Sequence, residues 1–214
     1  PKTKDYYIVI SGLNEGELIV SNGTFKIDSE LQIRARPSMM TAEWGNHNLT
    51  PLPHNNIMKR NQPVKGQSIL TPVYESYFKV QMALAGDNLP KSSKRNQDLV
   101  KAIKEINISH FEEDSRDSWQ KLSTKLIEAA QIGATTKDIS DSRVAFFSLS
   151  EAILAIHQTF GHTVDKDYFL TFCPMAFENK GAYWLQEVDT VYNSFYGAMM
   201  LRCGSIEKKL APLK

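Results

Sequence analysis

Tyr168 to Gly204 reads YFLTFCPMAFENKGAYWLQEVDTVYNSFYGAMMLRCG and holds both cysteines of the chain, Cys173 and Cys203. Asn179-Lys180-Gly181 is a turn signal, and the flanking residues are rich in aromatics: Phe177, Tyr183, Trp184, Tyr192, Phe195 and Tyr196. This composition favours extended chain folding back on itself over another helix. The stretch therefore predicts a hairpin-like segment that draws together two thiols and up to three thioethers, those of Met175, Met199 and Met200. Two readings follow. Thiolate and thioether sulfur are soft donors that prefer Cu(I) and its heavier relatives to Mg or Ca, which makes these residues a candidate soft-metal site. Alternatively, Cys173 and Cys203 form a disulfide that pins the hairpin, with loop closure contributing about 3 kcal/mol.

Working back from this stretch, four amphipathic helical patterns precede it. The first spans Thr71 to Ala85, with Thr71 as cap, Pro72 in the first turn, and Val73, Tyr77, Val80 and Leu84 on one stripe with Tyr74 and Phe78 beside it. Gly86-Asp87-Asn88 stops it. The second spans Pro90 to Ile108 and turns Leu99, Ala102, Ile103 and Ile106 inward. The third starts near Asp114, capped by Asp114 or Ser115, presents Trp119, Leu122, Leu126, Ile127 and Ala130, and ends at Gly133. The fourth starts near Ile139-Ser140-Asp141, carries Val144, Phe147, Leu149, Ala152, Ile153 and Ile156, and stops at Gly161. Short connections between amphipathic helices predict an antiparallel four-helix bundle.

The first third of the chain is different. Tyr6-Tyr7-Ile8-Val9-Ile10 and Glu17-Leu18-Ile19-Val20 read as strands, and Thr24 to Asp28 as a third short strand or a helix entry. Three such elements have open edges and little core, so residues 1–36 are expected to be part of a β-barrel. Residues 37–70 are rich in Asn, Pro, Gly and Ser and read as a linker. His47, His54, Met39, Met40 and Met58 fall there without ligand spacing and are read as loop residues. Residues 71–214 form the remaining domain. The fold class is mainly α with a small β part: a barrel fragment, then the bundle, closed by the cysteine-bracketed hairpin.

Length and apolar content are those of a globular chain of 214 residues, and a formal net charge of +1 with dispersed Lys and Arg argues against a nucleic-acid partner. No apolar run is long enough to span a bilayer. Pro1-Lys2-Thr3-Lys4 leads directly into a strand pattern, which suggests a piece of a longer protein. Catalysis is not expected. Cys173 with His157 or His162 is the only thiol and base combination to weigh, and Pro174 removes a backbone donor useful in an oxyanion hole. His157, near the end of the fourth helix, reads as a partly buried or C-terminal capping histidine whose positive charge complements the helix dipole, and His110 reads likewise.

Two stretches resemble a known family. Ser11 to Val20, with Gly12-Leu13-Asn14-Glu15-Gly16, followed by Gly23 to Ile33, with Ile27-Asp28-Ser29-Glu30, resembles the close of the membrane-proximal barrel in periplasmic adaptor subunits of RND-type heavy-metal efflux pumps of the copper/silver type. Pro37-Ser38-Met39-Met40 extends that likeness. The second stretch, Cys173 to Leu185 with Asn193 to Gly204, resembles a domain of uncharacterised function appended to such adaptors. That domain usually carries Asn-Pro where this chain has Asn193-Ser194, which is expected to loosen a turn. The resemblance implies a periplasmic location with the full protein tethered to the inner membrane. Its implied partners are an RND pump, an outer-membrane channel and other adaptor copies. It also implies transport without catalysis or a required cofactor, with Cu(I) or Ag(I) bound by Cys173, Met175, Met199, Met200 and Cys203. A purely structural interaction module with a Cys173–Cys203 disulfide remains the alternative.

Overall fold

Local turn chemistry divides the chain into the elements of the computed structural model, which describes residues 67–213. The expected barrel piece (1–36) and most of the linker (37–70) lie outside those residues. The last four residues of the expected linker are folded: Gln67–Leu70 is a 3-10 turn with Gln67 and Leu70 buried. It runs straight into α1 (Thr71–Ala85), whose N-cap is Leu70 rather than Thr71. With Pro72 in the first turn, where its missing N–H costs no helical bond, the start needs no side-chain cap.

Gly86 ends α1, Asp87 takes a left-handed conformation at φ 52°, and the Asn88 side chain caps α2 (Leu89–Lys104) by accepting from Lys91 N at 2.9 Å. Helix α2 stops short of the expected Ile108. Asn107 accepts from Ser109 N and starts a separate 3-10 turn, Ile108–His110, leaving Ile108 exposed. Helix α3 (Glu113–Thr135) begins one residue earlier than expected, so Asp114 and Ser115 lie inside it, and it runs through Gly133. Gly133 is a packing residue and not a stop, since a Cβ there would lie 2.8 Å from the Asn96 side chain of α2. Asp138 caps α4 (Ile139–Phe160) by accepting from Ser140 N at 2.7 Å, and Gly161 closes it at φ 66°.

Each long helix packs against the next in sequence, and α1 also touches α4. Helix α1 is buried on both sides of its expected stripe, with Tyr74, Tyr77, Phe78, Gln81 and Leu84 all at 2% exposure or less. Val144, expected inside, is 47% exposed, whereas the Phe146-Phe147 pair is buried as its apolar character predicts.

After α4 come three antiparallel strands in the order β2-β1-β3: β1 (Tyr168–Cys173), β2 (Ala182–Gln186) and β3 (Ser205–Leu210). The expected hairpin is β1 and β2, with Cys173 opposite Ala182. It does not extend to Cys203. The chain from Glu187 to Gly204 is irregular apart from a 3-10 turn at Gly197–Met200, and β3 then pairs with the other side of β1. Strand β3 escaped the sequence pattern because it is an edge strand whose Glu207, Lys208 and Lys209 face solvent. Strand β2 packs on α4, and the aromatics of the segment enter the core there. Trp184 and Phe146 both meet Phe195, at 5.7 and 5.4 Å between ring centroids, and Phe177 meets Phe147 at 5.0 Å. Burying each such ring contributes about 1.5–3 kcal/mol. The described fold is thus mainly helical with a small three-stranded antiparallel sheet.

Candidate functional site

Cys173 ends the central strand, and Cys203 lies two residues before β3. Phe172 pairs with Ser205, so the chain entering β3 must pass close to the end of β1. Gly204 permits this. Its φ is 125°, and a Cβ there would stand 2.6 Å from the Phe172 carbonyl oxygen. The result is a Cys173 Sγ to Cys203 Sγ separation of 4.0 Å, with both thiols free. Cys173 is fully buried and Cys203 partly so.

Asn193 holds the second thiol in place. Its Oδ1 accepts from the backbone of Phe195 at 2.8 Å and Tyr196 at 3.1 Å, and its Nδ2 donates to the Cys203 carbonyl at 2.8 Å. The Asn193 N–H also donates to Leu201 O at 2.9 Å. Tyr196, placed by this turn, donates its hydroxyl to Met175 O at 2.6 Å, tying the segment after Cys173 to the segment before Cys203. Asn193 and Gly204 went unnoticed as positioning residues; the available signal was the readiness of Asn to bond the backbone two residues on.

Ser194 anchors the same loop to α1. Its hydroxyl donates to Gln81 O and accepts from Gln81 Nε2, both at 2.9 Å, and Arg143 Nε donates to Ser194 O at 3.0 Å. Ser194 therefore ties the loop to α1. Asp87 adds a further anchor, accepting from Ala198 N at 2.8 Å and from Arg143 Nη2 at 2.5 Å.

Between Cys173 and β2 the backbone is unusual. Phe177, Glu178 and Asn179 all have left-handed conformations, at φ 52°, 59° and 66°. Each non-glycine residue in that region costs roughly 1–2 kcal/mol. The ring contacts of the half-buried Phe177 and the Gly181 N–H bond to Ala176 O at 2.9 Å hold the turn.

The methionines are placed less uniformly than the sequence suggested. Met175 is partly buried and packs against the core, Met200 is half-buried, and Met199 is 80% exposed. The two cysteines are the ligand pair whose meeting is visible. Among the described residues, no three His, Cys, Asp or Glu side chains gather in a metal-sized group.

Burial, and then the neighbouring Cys173, push the Cys203 thiol up to about 11, so it is protonated at neutral pH. A thiol nucleophile needs the opposite shift. Of the two histidines weighed as a base for Cys173, His162 stacks on Tyr168 at the far end of β1. Five residues at about 3.3 Å each separate that end from Cys173 by roughly 16 Å. His157 is also not a cationic helix cap. It is 8% exposed, and burial, His162 and Lys208 lower its pKa to about 3, leaving the ring neutral. His110 is exposed in its 3-10 turn.

A soft cation fits the sulfur spacing. Two sulfur–metal bonds of about 2.3 Å that span a 4.0 Å gap meet at roughly 120°, an open angle that leaves room for one more donor. Full tetrahedral coordination of Zn(II) by Cys and His would need partners that are not gathered among the described residues.

Comparison with known proteins gives one match. Residues 73–165 fit the model of a family described as a protein of unknown function, DUF3347. The matched span covers most of α1 and all of α2 to α4, and it stops before β1. No curated protein and no solved structure matches the chain.

Proposed function

We propose that this domain captures a soft monovalent cation, Cu(I) or Ag(I), through Cys173 and Cys203, as part of the periplasmic adaptor of a heavy-metal efflux system. The observation that carries this reading is the 4.0 Å thiol pair, held by Asn193 and Gly204 at the end of β1. The adaptor context rests on the resemblance of the N-terminal stretch, and the match of residues 73–165 to a helical family associated with some metal-efflux adaptors supports it. In that context the helices form an antiparallel four-helix bundle. An RND pump, an outer-membrane channel and further adaptor copies are the partners, and the full protein is tethered to the inner membrane. Its work is binding and transfer, without catalysis.

Metal binding requires both thiols to ionise. The raised Cys203 pKa means that cation uptake displaces a proton, so affinity rises with pH. Met175, partly buried against the core two residues after Cys173, is the first choice for a third donor; the exposure of Met199 sets it apart from that role.

Titration of the reduced protein against a competing Cu(I) chelator tests the reading. Wild type is expected to take up one equivalent, and Cys173→Ser with Cys203→Ser to lose it; a reduced wild type that takes up none sinks the proposal. The same short separation supports a second reading, in which closing to about 2.05 Å gives a structural disulfide. A thiol count on unreduced, unfolded protein separates the two: two free thiols favour the metal site, none the disulfide.

A further inference from the structure

The end of β1 remote from the thiols holds a polar cluster that metal capture does not use. Three consecutive carbonyls leave the end of α4 there, and each is taken by a different part of the fold. Phe160 O accepts from the Gln67 side-chain amide in the turn before α1. Gly161 O accepts from the Tyr74 hydroxyl of α1 at 2.9 Å. His162 O accepts from the Leu213 N–H, beyond β3, at 2.8 Å. Gly161 makes the convergence possible, since a Cβ at its φ of 66° would lie 2.7 Å from the Leu213 side chain and 2.9 Å from the Gln67 amide.

Two histidine rings close the cluster, and their protons can be placed. His162 Nε2 lies 2.8 Å from Lys166 O, which can only accept, so Nε2 carries the proton. In the neutral ring Nδ1 is then an acceptor, and His157 Nε2, 3.0 Å away, donates to it. Tyr168 stacks on His162 at 3.9 Å between centroids, and Tyr74 meets His157 edge-on at 6.0 Å.

An added proton has no favourable place in this arrangement. On His162 Nδ1 it would move the His157 proton from Nε2 to the other nitrogen and leave a cation on the ring stacked against Tyr168, and a second proton would set two N–H groups face to face. On the second nitrogen of His157 it would create a buried cation that also feels Lys208 of β3. Asp167 favours a cationic His162 but is engaged by Lys209 of β3 at 2.7 Å. Lys166 contributes its carbonyl to His162, and Glu75 of α1 and Glu187 after β2 act on the stacked Tyr168.

We propose that the His157–His162 pair is an acid-sensitive latch. While both rings are neutral it holds the turn Phe160–His162, and through that turn the Gln67 and Leu213 segments, against the helices. When the pair takes up protons the rings part and these ties release together, before the helices unfold. The latch is independent of metal binding, because it uses none of the sulfur residues.

Residue-resolved hydrogen exchange on the 214-residue chain tests it, with the Leu213 N–H as direct reporter because its acceptor is His162 O. After correction for intrinsic exchange, Leu213 protection is expected to fall about tenfold per pH unit below about pH 6.5 for each proton taken up. Amides in the middle of α4, from Leu149 to Ile153, lose protection only with global stability and are expected to stay at least about tenfold better protected than Leu213 throughout. His157→Gln retains a donor and does not titrate, so it is expected to reduce the slope. If that variant does not fold, the ring nitrogen shifts of the wild type carry the test: rings that become cationic while Leu213 keeps its protection overturn the latch. Protection that stays flat as the pH falls to about 5, or a Leu213 protection no lower than that of the α4 amides at every pH, overturns the latch.

Discussion

At the Cys173 end of β1, two thiols from segments 30 residues apart face each other across 4.0 Å, positioned by backbone bonds and by a glycine. At the Tyr168 end, His157 and His162 spend their facing nitrogens on each other and on Lys166 O. One strand thus separates two chemistries. The histidines are committed to internal hydrogen bonds, so they stabilise and respond to acid. The thiols make only a weak sulfur contact with each other, so their lone pairs are available to a cation or to oxidation. Residue type alone would have made both ends metal candidates; the difference lies in which groups already have strong partners.

The comparison breaks most sharply at Gly204. Gly204→Ala places a Cβ 2.6 Å from Phe172 O and is expected to destabilise the domain by about 3 kcal/mol. It should also lower Cu(I) affinity while leaving Leu213 exchange unchanged, so denaturant unfolding and chelator competition together check it.

Acid sharpens the other end. The folded His157 pKa is lowered to about 3, so the unfolded chain takes up that proton first as pH falls. Stability is full above about 6.5 and is lost downward at up to about 1.4 kcal/mol per pH unit for this group, until the folded ring titrates. Urea unfolding between pH 7 and 5 is expected to show that loss, of about 2 kcal/mol, with His157→Gln flattening the curve. A wild-type stability independent of pH over this range would contradict the buried neutral pair.

Asn193→Ala leaves the Cys203 carbonyl and the Phe195 and Tyr196 N–H groups without their partner, and is expected to cost about 1–3 kcal/mol. It should weaken metal binding more than it alters the acid response. The smallest effect belongs to Asp87→Asn. Its side chain is 43% exposed, and removing the charge from its pair with Arg143 is expected to cost less than about 1 kcal/mol. The Asp87 carboxyl is held below its usual range, first by the Ala198 N–H and then by Arg143 against the opposing cost of burial. This contribution is present above the ordinary carboxylate range and fades as pH falls through it, so the wild-type advantage should narrow in acid.

Much of the helical part is legible in the sequence because its signals are local. Gly86-Asp87-Asn88 marks the break between α1 and α2, and Gly161 the end of α4, through backbone geometry that needs no distant partner. Where a signal depends on what lies opposite, the reading fails. Gly133 resembles a helix stop until Asn96 is seen against it, and Val144 belongs to the apolar pattern yet faces outward. Strand β3 is too charged to be recognised before β1 offers it an edge.

The chain by itself determined the extents of α1 and α4, and that the cysteine-bracketed stretch would contain a hairpin, because turns and periodicity act over a few residues. Only the tertiary structure decided that Cys203 reaches Cys173 through an irregular loop and a third strand. It also decided that Met199 faces outward, and that the histidines lie at the opposite end of β1. Those outcomes depend on contacts between residues distant in sequence, whose pairing is set by packing around α1 and α4 and has no local signature.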